Sequence, residues 1–355
     1  MTRSRLIQFL VLCIAVPFLC PAIGIDNLGI DNLVNASDLI AIVDVLEVSD
    51  IGPAPPLSFR GRDLSAETYD AELAVKNIIK GSTTGRVRVK YVLPESFIGY
   101  QGLRRGMRLV FLRKEGANYT TTDPYYPDLP AIATAPESYV RIEPGEYARS
   151  VVREMLAVIA SDSATLAQKS EILRVAYALP SNAEVVTAFK SGVATAKDPE
   201  LEQRLQGELI RLGDISELPK IVHTLASHLA TENQRVWLLY VVGNDLKNPL
   251  AIPALEPLLS SNDNSNREAA AQALWHIADS SALPVLARML NDTDDQVRFY
   301  AVRACADIAN EYGWGGPGEE EFHEHEQKYL THWQDWIKSH VGSFLQGAVN
   351  LQPTG

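Results

Sequence analysis

The chain has 355 residues, of which 46% are hydrophobic and 21% charged, and its formal net charge is −12 at pH 7. This composition is that of a folded protein with a sizeable core and room for two domains, and it excludes a largely disordered chain. The negative net charge argues against nucleic acid as a partner.

The first 24 residues predict a cleaved export signal. Arg3 and Arg5 precede an apolar run from Leu6 to Phe18, and small residues follow at the spacing that a signal peptidase requires, in Ala22-Ile23-Gly24. Cleavage near Gly24 would remove two arginines and no acids, which takes the formal charge from −12 to −14. We therefore expect a periplasmic or extracellular protein.

Two alternatives to cleavage remain at this end of the chain. A membrane anchor would need about 18 apolar residues, and the run is shorter than that. A lipid on Cys20 would need small residues before it, whereas Phe18 and Leu19 are bulky. We therefore expect neither a stable membrane span nor lipid anchoring.

Residues 25–145 predict a small antiparallel β-barrel. Ile25-Asp26-Asn27-Leu28 is repeated as Ile30-Asp31-Asn32-Leu33, a duplication too short for a structural repeat, and we interpret it as a lead-in. Alternating or continuous apolar patterns then predict five or six short strands. These strands fall at Leu39–Val48, Tyr69–Lys80, Arg86–Lys90, Met107–Leu112, Asn118–Thr122 and Tyr139–Ile142. Between the first two, Pro53, Pro55 and Pro56 predict an exposed loop.

The order of these strand sequences resembles exported domains related to the netrin and metalloproteinase-inhibitor barrel, which is of the oligonucleotide/oligosaccharide-binding (OB) type. The resemblance implies an OB-like barrel. It does not bring the inhibitors' mechanism, because their metal-chelating N-terminal cysteine has no counterpart between Gly24 and Ala304.

Basic residues are concentrated in this region, and two interpretations of them stay open. They form either an ordinary solvated face beside acidic neighbours or a patch that docks the acidic helical region or an anionic envelope component. The residues are Arg86, Arg88, Lys90, Arg104, Arg105, Arg108, Arg113 and Lys114.

Helical periodicity begins at Glu146 and predicts five helix pairs over residues 146–310. The first three pairs are predicted at 146–160 with 164–179, 183–193 with 199–212, and 216–229 with 232–242. The last two pairs repeat each other at an offset of 31, so that Pro253 matches Pro284 and Arg267 matches Arg298. Such short units bury their apolar stripes only by stacking, as in an α-α superhelical solenoid.

The turn sequence from Met289 to Arg298, together with Pro284 in the preceding helix, resembles HEAT repeats of the bacterial kind first noted in phycobilisome lyases. The resemblance implies a HEAT-like α-solenoid and structural roles for the turn aspartate and the following arginine. We expect Asp263 and Asp294 to cap the second helix of each pair, and Arg267 and Arg298 to bridge to neighbouring turns.

Residues on the second helices form the candidate partner surface. If Ala270, Ala273, Leu274 and Ile277 face the core, residues half a turn away face outward. They are Gln272, Trp275, His276 and Asp279, followed in the next repeat by Arg303, Ala306, Asp307 and Asn310. The alternative is an ordinary solvated helix face. By the same reasoning Cys305, which matches Leu274, is expected to be an inert core residue.

Residues 311–340 predict a Gly-rich loop and a capping helix, and residues 341–355 a tail. Phe322, Tyr329, Trp333 and Trp336 share one face of that helix, which would close the end of the solenoid. His323-Glu324 is followed by Gln327 where a zinc protease needs a second histidine. His325 and His332 share a face with Glu321, so adventitious metal binding stays possible.

Two functional hypotheses follow. The first is a non-enzymatic, exported scaffold that binds a protein or peptide in the cell envelope, without cofactor or metal. The alternative is an enzyme or enzyme accessory, either lyase-like or an inhibitor-type barrel that acts on an envelope hydrolase. The sequence carries no phosphate-binding loop, serine elbow or catalytic carboxylate cluster, which favours the first hypothesis. It leaves the partner and the oligomeric state undetermined.

Overall fold

The computed structural model describes residues 29–59, 62–95, 101–123, 125–132, 142–227, 229–314 and 318–349. The predicted export signal, Cys20, three of the four residues of the predicted strand Tyr139–Ile142, and the last six residues of the predicted tail lie outside these ranges. The chain divides into two compact units, one ending at Leu201 and the other beginning at Glu202. The predicted boundary near residue 145 coincides with the change from strands to helices, whereas the units divide within a helix.

The first unit contains one sheet of six strands. These are β1 (Leu39–Phe59), β2 (Arg62–Lys80), β3 (Arg86–Pro94), β4 (Gly106–Glu115), β5 (Asn118–Thr121) and β6 (Asp128–Pro130). The neighbour order is β1-β2-β3-β5-β4-β6, and β1 also pairs with β4. The β3–β5 pairing is parallel, and the other pairings are antiparallel.

The sheet buries one row of small and branched apolar side chains, because alternate residues of a strand point to the same face. Its core includes Ala41 and Val43 of β1, Leu73 of β2, Val89 of β3 and Val110 of β4, each no more than slightly exposed. Alternation in the sequence located the core residues of β2 and β3, whereas β1 and β4 read as apolar runs that did not show which residues face this core.

Pro53, Pro55 and Pro56 are exposed, as predicted, but the prediction that they form a loop was wrong, because β1 continues through them. The pairing of β1 with β4 ends at Val45, so beyond that point one edge of β1 has no strand beside it within the described residues. A proline is tolerated on such an edge because no ladder partner needs its missing N–H. The register with β2 also shifts between Ala54 and Leu57, around the proline pair.

The predicted lead-in forms a helix where the structure describes it, which its sequence pattern did not predict. Residues Ile30–Ala36 form helix α1, in which Leu33 and Val34 are buried. After its last turn, Ser37 Oγ donates a hydrogen bond to the Leu33 carbonyl at 2.7 Å. The segment therefore contributes two side chains to the core of the first unit.

The helices follow in two sets. The first set is α2 (Tyr147–Ala160), α3 (Leu166–Arg174), α4 (Ala183–Thr195) and α5 (Pro199–Arg211). The second is α6 (Leu218–Ala226), α7 (Glu232–Tyr240), α8 (Glu256–Leu259), α9 (Asn264–Ile277), α10 (Leu283–Met289), α11 (Asp295–Ala309) and α12 (Glu319–Val349). A π-helical turn at Val241–Asp245 and a 3-10 helix at Pro249–Leu255 connect α7 to α8.

The predicted helix pairs are present, with ends that differ by a few residues. The last helix departs most from expectation, because α12 continues to Val349 instead of ending at 340, with a non-helical residue at His325. Its aromatic stripe packs into the core of the second unit: Phe322 and Trp333 are fully buried, and Tyr329 nearly so. In the described part of the chain, no helix combines the length and apolar character needed to cross a bilayer.

Candidate functional site

The two repeated helix pairs are positioned by their turn residues. Asp263 caps α9 by accepting a hydrogen bond from Ser265 N at 3.0 Å. Asp294 caps α11 by accepting from Gln296 N and Val297 N at 3.0 and 3.1 Å. These contacts satisfy amide groups that have no partner within the helix, and they confirm the predicted capping role.

The arginines of the second helices connect successive repeats, as predicted. Arg267 Nε lies 3.0 Å from Asp292 Oδ2 in the following turn, and its Nη1 donates to the Ser261 carbonyl at 2.9 Å. Arg298 pairs in the same way with Glu326 of α12. The structure therefore assigns these arginines to the scaffold.

A third copy of this arrangement was missed at the sequence level. Arg235 of α7 pairs with Asp263, one repeat earlier than Arg267 with Asp292. The available signal was the match of Leu218-Pro219 to Ile252-Pro253, with Arg235 lying 32 residues before Arg267. The prolines of the two copies are 34 residues apart and the arginines 32, so a comparison at the fixed offset of 31 did not align this copy.

The predicted core face of the second helices is confirmed. Ala270, Ala273 and Leu274 are fully buried, as are Ala301, Ala304 and Cys305 of the next repeat. Burial raises the pKa of the Cys305 thiol well above its ordinary value. This cysteine therefore behaves as a small core side chain and not as a nucleophile.

Trp275 lies at the centre of the candidate surface and is half-buried. Its indole Nε1 donates to Asp307 Oδ2 at 2.7 Å, and the Arg303 guanidinium lies 4.2 Å from the centre of the ring. Tyr300 and His276 also stack on it, with ring centroids 6.0 and 4.7 Å away. The aromatic ring is thus held in place by side chains of both α9 and α11.

Gln272, His276 and Asp279, the other members of the row near α9, form hydrogen bonds with the turns before and after that helix. Gln272 Nε2 donates to Asn244 Oδ1 at 3.0 Å, and His276 Nδ1 lies 2.7 Å from the Gly243 carbonyl oxygen. Asp279 accepts from Ser281 N at 2.9 Å, in the turn after α9. The row therefore runs continuously from the π-helical turn across α9 to α11.

One residue of this register was wrongly expected to face outward. Ala306, which matches Trp275 at the offset of 31, is fully buried, while Asn310 is exposed as the left-handed residue that ends α11. The outward-facing residues of α11 are therefore Arg303 and Asp307, which both contact Trp275, and not Ala306. The assignment of the row itself to a partner stays a prediction.

Two half-buried carboxylates, Glu268 and Asp245, border the row. Burial raises the pKa of Glu268, and the negative charges of Asp294, Asp295 and Asp263 raise it further. Burial also raises the pKa of Asp245, but the positive charges of Arg211, Lys247 and His276 act in the opposite direction. Glu268 is therefore the acid of the row beside which a cation would be favoured.

The basic residues predicted as a patch differ in their surroundings: some form exposed ion pairs, some form a buried junction, and others are exposed to solvent. Arg86 pairs with Glu72, and Arg88 with Asp70, across β2 and β3. Arg108 is buried and forms ion pairs with Asp128 of β6 and Glu171 of α3. Arg104 pairs with the same two carboxylates, whereas Arg105, Arg113 and Lys114 are exposed.

The junction formed by Arg104, Arg108, Asp128 and Glu171 joins the sheet to α3. A buried arginine with two carboxylate partners keeps its charge, and the pKa of Arg108 is raised despite burial because of these partners. Two members of the predicted basic patch therefore dock a helix of the acidic helical region, within the first unit.

The histidines of α12 do not converge on a metal site in the described residues, where no group of three potential ligands is placed to hold an ion. His332 Nε2 lies 3.2 Å from Glu311 Oε2, and its ring stacks on Trp314 at 4.0 Å. Glu321 accepts a hydrogen bond from the Tyr329 hydroxyl at 2.7 Å. The contacts of His332 with Glu311 and Trp314 join the loop before α12 to that helix.

An apolar cleft of about 490 Å³ lies on the side of the first helices in the second unit. It is lined by Pro219, Val222, His223, Ala226, Pro253, Ala254 and Pro257. His223 is the one titratable side chain in this lining, so the cleft does not bring catalytic groups together.

Comparison with known proteins gives a match in the repeated region. Residues 252–312 match the family model for HEAT repeats. This match covers both capped helices, the contact of Arg267 with Asp292 and the candidate row, and it confirms the HEAT-like prediction for this stretch. No curated protein matches the chain.

Proposed function

We propose that this protein is a non-enzymatic, exported scaffold that binds a protein or peptide of the cell envelope through the row of Gln272, Trp275, His276, Asp279, Arg303 and Asp307. The observation that carries the proposal is the HEAT-repeat match, since HEAT repeats serve mainly as protein-interaction scaffolds. Export is supported by the signal-like sequence of residues 1–24. In this proposal the helices of residues 146–310 form an α-solenoid.

The N-terminal sheet belongs to the same proposal as an OB-like barrel. Support comes from its strand pairing, in which β1 returns to pair with β4 at the end of the order β1-β2-β3-β5-β4. The β3–β5 contact that completes this order is short, with Val89 opposite Tyr119. A barrel would remove the exposed sheet edges that otherwise invite aggregation.

The row suits a binding surface because its geometry is fixed before a partner arrives. Trp275 is held by Asp307, Arg303 and Tyr300, so little side-chain entropy would be lost when a partner covers it. Tryptophan, tyrosine and arginine are also the residues that contribute most often to binding hot spots.

The test is affinity capture by the mature chain from the envelope fraction of its source cells. We expect Arg303→Ala to lose the captured protein, because Trp275 then loses the guanidinium that lies over its ring, while Arg288→Ala, the same change on a first helix of the same repeat, retains it. Trp275→Ala is a second variant, whose thermal unfolding is followed in parallel because the ring also packs on the core.

Two results would count against the proposal. Capture unchanged by Arg303→Ala and by a folded Trp275→Ala would show that the row is not the binding surface. Recovery of no protein, together with turnover of a small substrate, would instead favour the enzyme hypothesis.

A further inference from the structure

Glu268 extends the candidate row at its N-terminal end. It precedes Gln272 and Trp275 by four and seven residues on α9, so the three side chains lie on one helical face. Its carboxyl group is half-buried, and the nearby groups that act on it include Asp294 and Asp295 of the next repeat.

The cation nearest to Glu268 along the chain is already committed elsewhere. Arg267 uses Nε and Nη2 for Asp292 at 3.0 Å, Nη1 for the Ser261 carbonyl, and Nη2 again for Asn264 at 3.1 Å. Among the charges that act most strongly on Glu268, that of Arg267 favours the ionised carboxylate, whereas those of Asp294, Asp295 and Asp263 disfavour it. The carboxylate therefore has a desolvation cost that its own protein offsets only in part.

A pair of stacked aromatic rings lies on the same face of the repeat as this carboxylate. Trp275 follows Glu268 by two helical turns on α9, and the half-buried Tyr300 of α11 stacks on Trp275. Burial raises the pKa of Tyr300, and the negative charges of Glu268 and Glu319 raise it further. The aliphatic stem of a lysine or arginine packs well on such a ring while its charged end reaches a carboxylate. The combination fits a basic side chain better than an acidic or purely apolar one.

The charge of the second unit points the same way. Residues 202–355 contain 21 Asp and Glu against 11 Lys and Arg, a formal net charge of −10, whereas residues 1–201 contain 23 against 21. Most of the net negative charge of the protein is thus in the unit that carries the row, because that unit has few basic residues. Such a field raises the association rate of positively charged partners and disfavours negatively charged ones.

We propose that the partner presents a basic peptide segment to this row, with a lysine or arginine side chain paired to Glu268 and its stem packed against Tyr300. The inference rests on the proposed function, because it assigns the chemistry of the partner to the same surface. It makes Glu268 a residue that determines specificity.

The test measures binding of the full mature chain to three labelled peptides of equal length, one rich in lysine and arginine, one uncharged and one rich in glutamate, by fluorescence anisotropy. We expect the basic peptide to bind most tightly and Glu268→Gln to weaken it about tenfold, which corresponds to 1.4 kcal/mol. The matched control is Glu256→Gln, which removes one charge from a first helix, where Glu256 pairs with Arg288. This control is expected to change affinity less than about twofold, as rim charges do.

The variant Glu268→Gln is expected to fold, because it replaces a half-buried carboxylate by a neutral isostere. An equal loss in both variants would show that only bulk charge matters, and would overturn the specific role of Glu268. Tighter binding of the uncharged or acidic peptide, or no binding of the basic one, would overturn the inference.

The proposed function is tested separately. If Arg303→Ala abolishes capture of the cellular partner while Glu268→Gln leaves it intact, the row is the binding surface and the basic-peptide inference is wrong. If neither variant affects capture, both proposals fail.

Discussion

Arg267 shows how a single side chain connects two repeats. Only 9% of the residue is exposed, and its guanidinium bonds to Asp292, to Asn264 and to the Ser261 carbonyl. Because the side chain of Asp292 is itself only 10% exposed, removing the arginine leaves this carboxylate and the Ser261 carbonyl without their partner. The cost then exceeds what an exposed ion pair contributes.

We expect Arg267→Ala to lower the free energy of unfolding by about 3 kcal/mol, the cost of breaking a buried pair. Arg288→Ala is the control, since its pair with Glu256 is exposed and is expected to contribute at most about 1 kcal/mol. Urea denaturation of both variants measures the difference. Equal losses would mean that the Arg267–Asp292 pair contributes no more to stability than an exposed ion pair.

Glu154 of α2 gives a prediction about pH. One carboxylate oxygen, Oε2, is buried without a hydrogen-bond partner in the described structure, and burial raises the pKa of the group. A raised carboxyl pKa means that its contribution to stability is complete below the unfolded pKa and is lost as the pH rises through the folded one.

Glu154→Gln is therefore expected to be more stable than the parent protein at neutral pH. Near pH 4, where the carboxyl of the parent is itself neutral, the difference is expected to disappear. Thermal melting at both pH values measures it, and a gap that is the same at both would contradict the assignment.

At the scale of elements, turns and edges decide where strands begin and end. The end of β2 at Lys80 was predicted from Lys80-Gly81, and the structure gives the reason. Gly81 has a φ of +87°, and a Cβ at this position would lie 2.3 Å from the Asp38 carbonyl oxygen. Only glycine allows β2 to end this close to the beginning of β1.

We expect Gly81→Ala to destabilise the sheet by about 3 kcal/mol, through backbone strain and overpacking together. Gly85→Ala is a matched control in the same hairpin, because its φ is +68° but nothing lies within 4 Å of an added Cβ. Its cost is expected to be about 1 kcal/mol. Chemical denaturation distinguishes the two, and equal effects would exclude the contact with Asp38 as the cause.

For helix α12 the buried face was predictable from the sequence, but the length was not. The spacing of Phe322, Tyr329 and Trp333 predicted which face is buried, and the structure confirms it. The C-terminal end of the helix was predicted too early, at residue 340, whereas α12 continues past Gly342 and Gly347 and ends at Val349. The proline that follows, Pro353, comes only after that end.

At the scale of the whole molecule, the export proposal has a direct test. Expression of the full chain in a secreting bacterial host is expected to yield a protein that begins near residue 25, because the apolar run and the small residues before it match a signal peptide. Intact-mass measurement of the exported fraction identifies the first residue. Retention of residues 1–24, or a lipid on Cys20, would contradict the proposal.

Much of this architecture was predictable because it depends on local, periodic patterns. The capping aspartates, the bridging arginines and the buried stripe of α9 and α11 follow from residues that recur at a fixed offset. The positions of the alternating strands follow from local patterns in the same way, although their pairing does not. Each of these features needs only neighbours in the sequence or in the adjacent repeat.

The candidate row could be predicted only in part. Helical spacing placed Gln272, Trp275, His276, Arg303 and Asp307 on partly exposed faces, but it could not show that they bond to one another. The contact of Trp275 with Asp307 joins residues 32 apart on two helices, so it depends on how α9 and α11 pack. Glu268 was overlooked because its lack of compensating charge is a property of its surroundings.

The sequence by itself therefore determined the elements, the repeat and the faces that are buried, since these depend on periodicity, turn residues and caps. The tertiary structure alone decided which charges are paired, as for Arg104 and Arg108, and which are left over, as for Glu268. The physical reason is that ion pairing depends on distance and burial between segments far apart in the chain, and no local pattern encodes either.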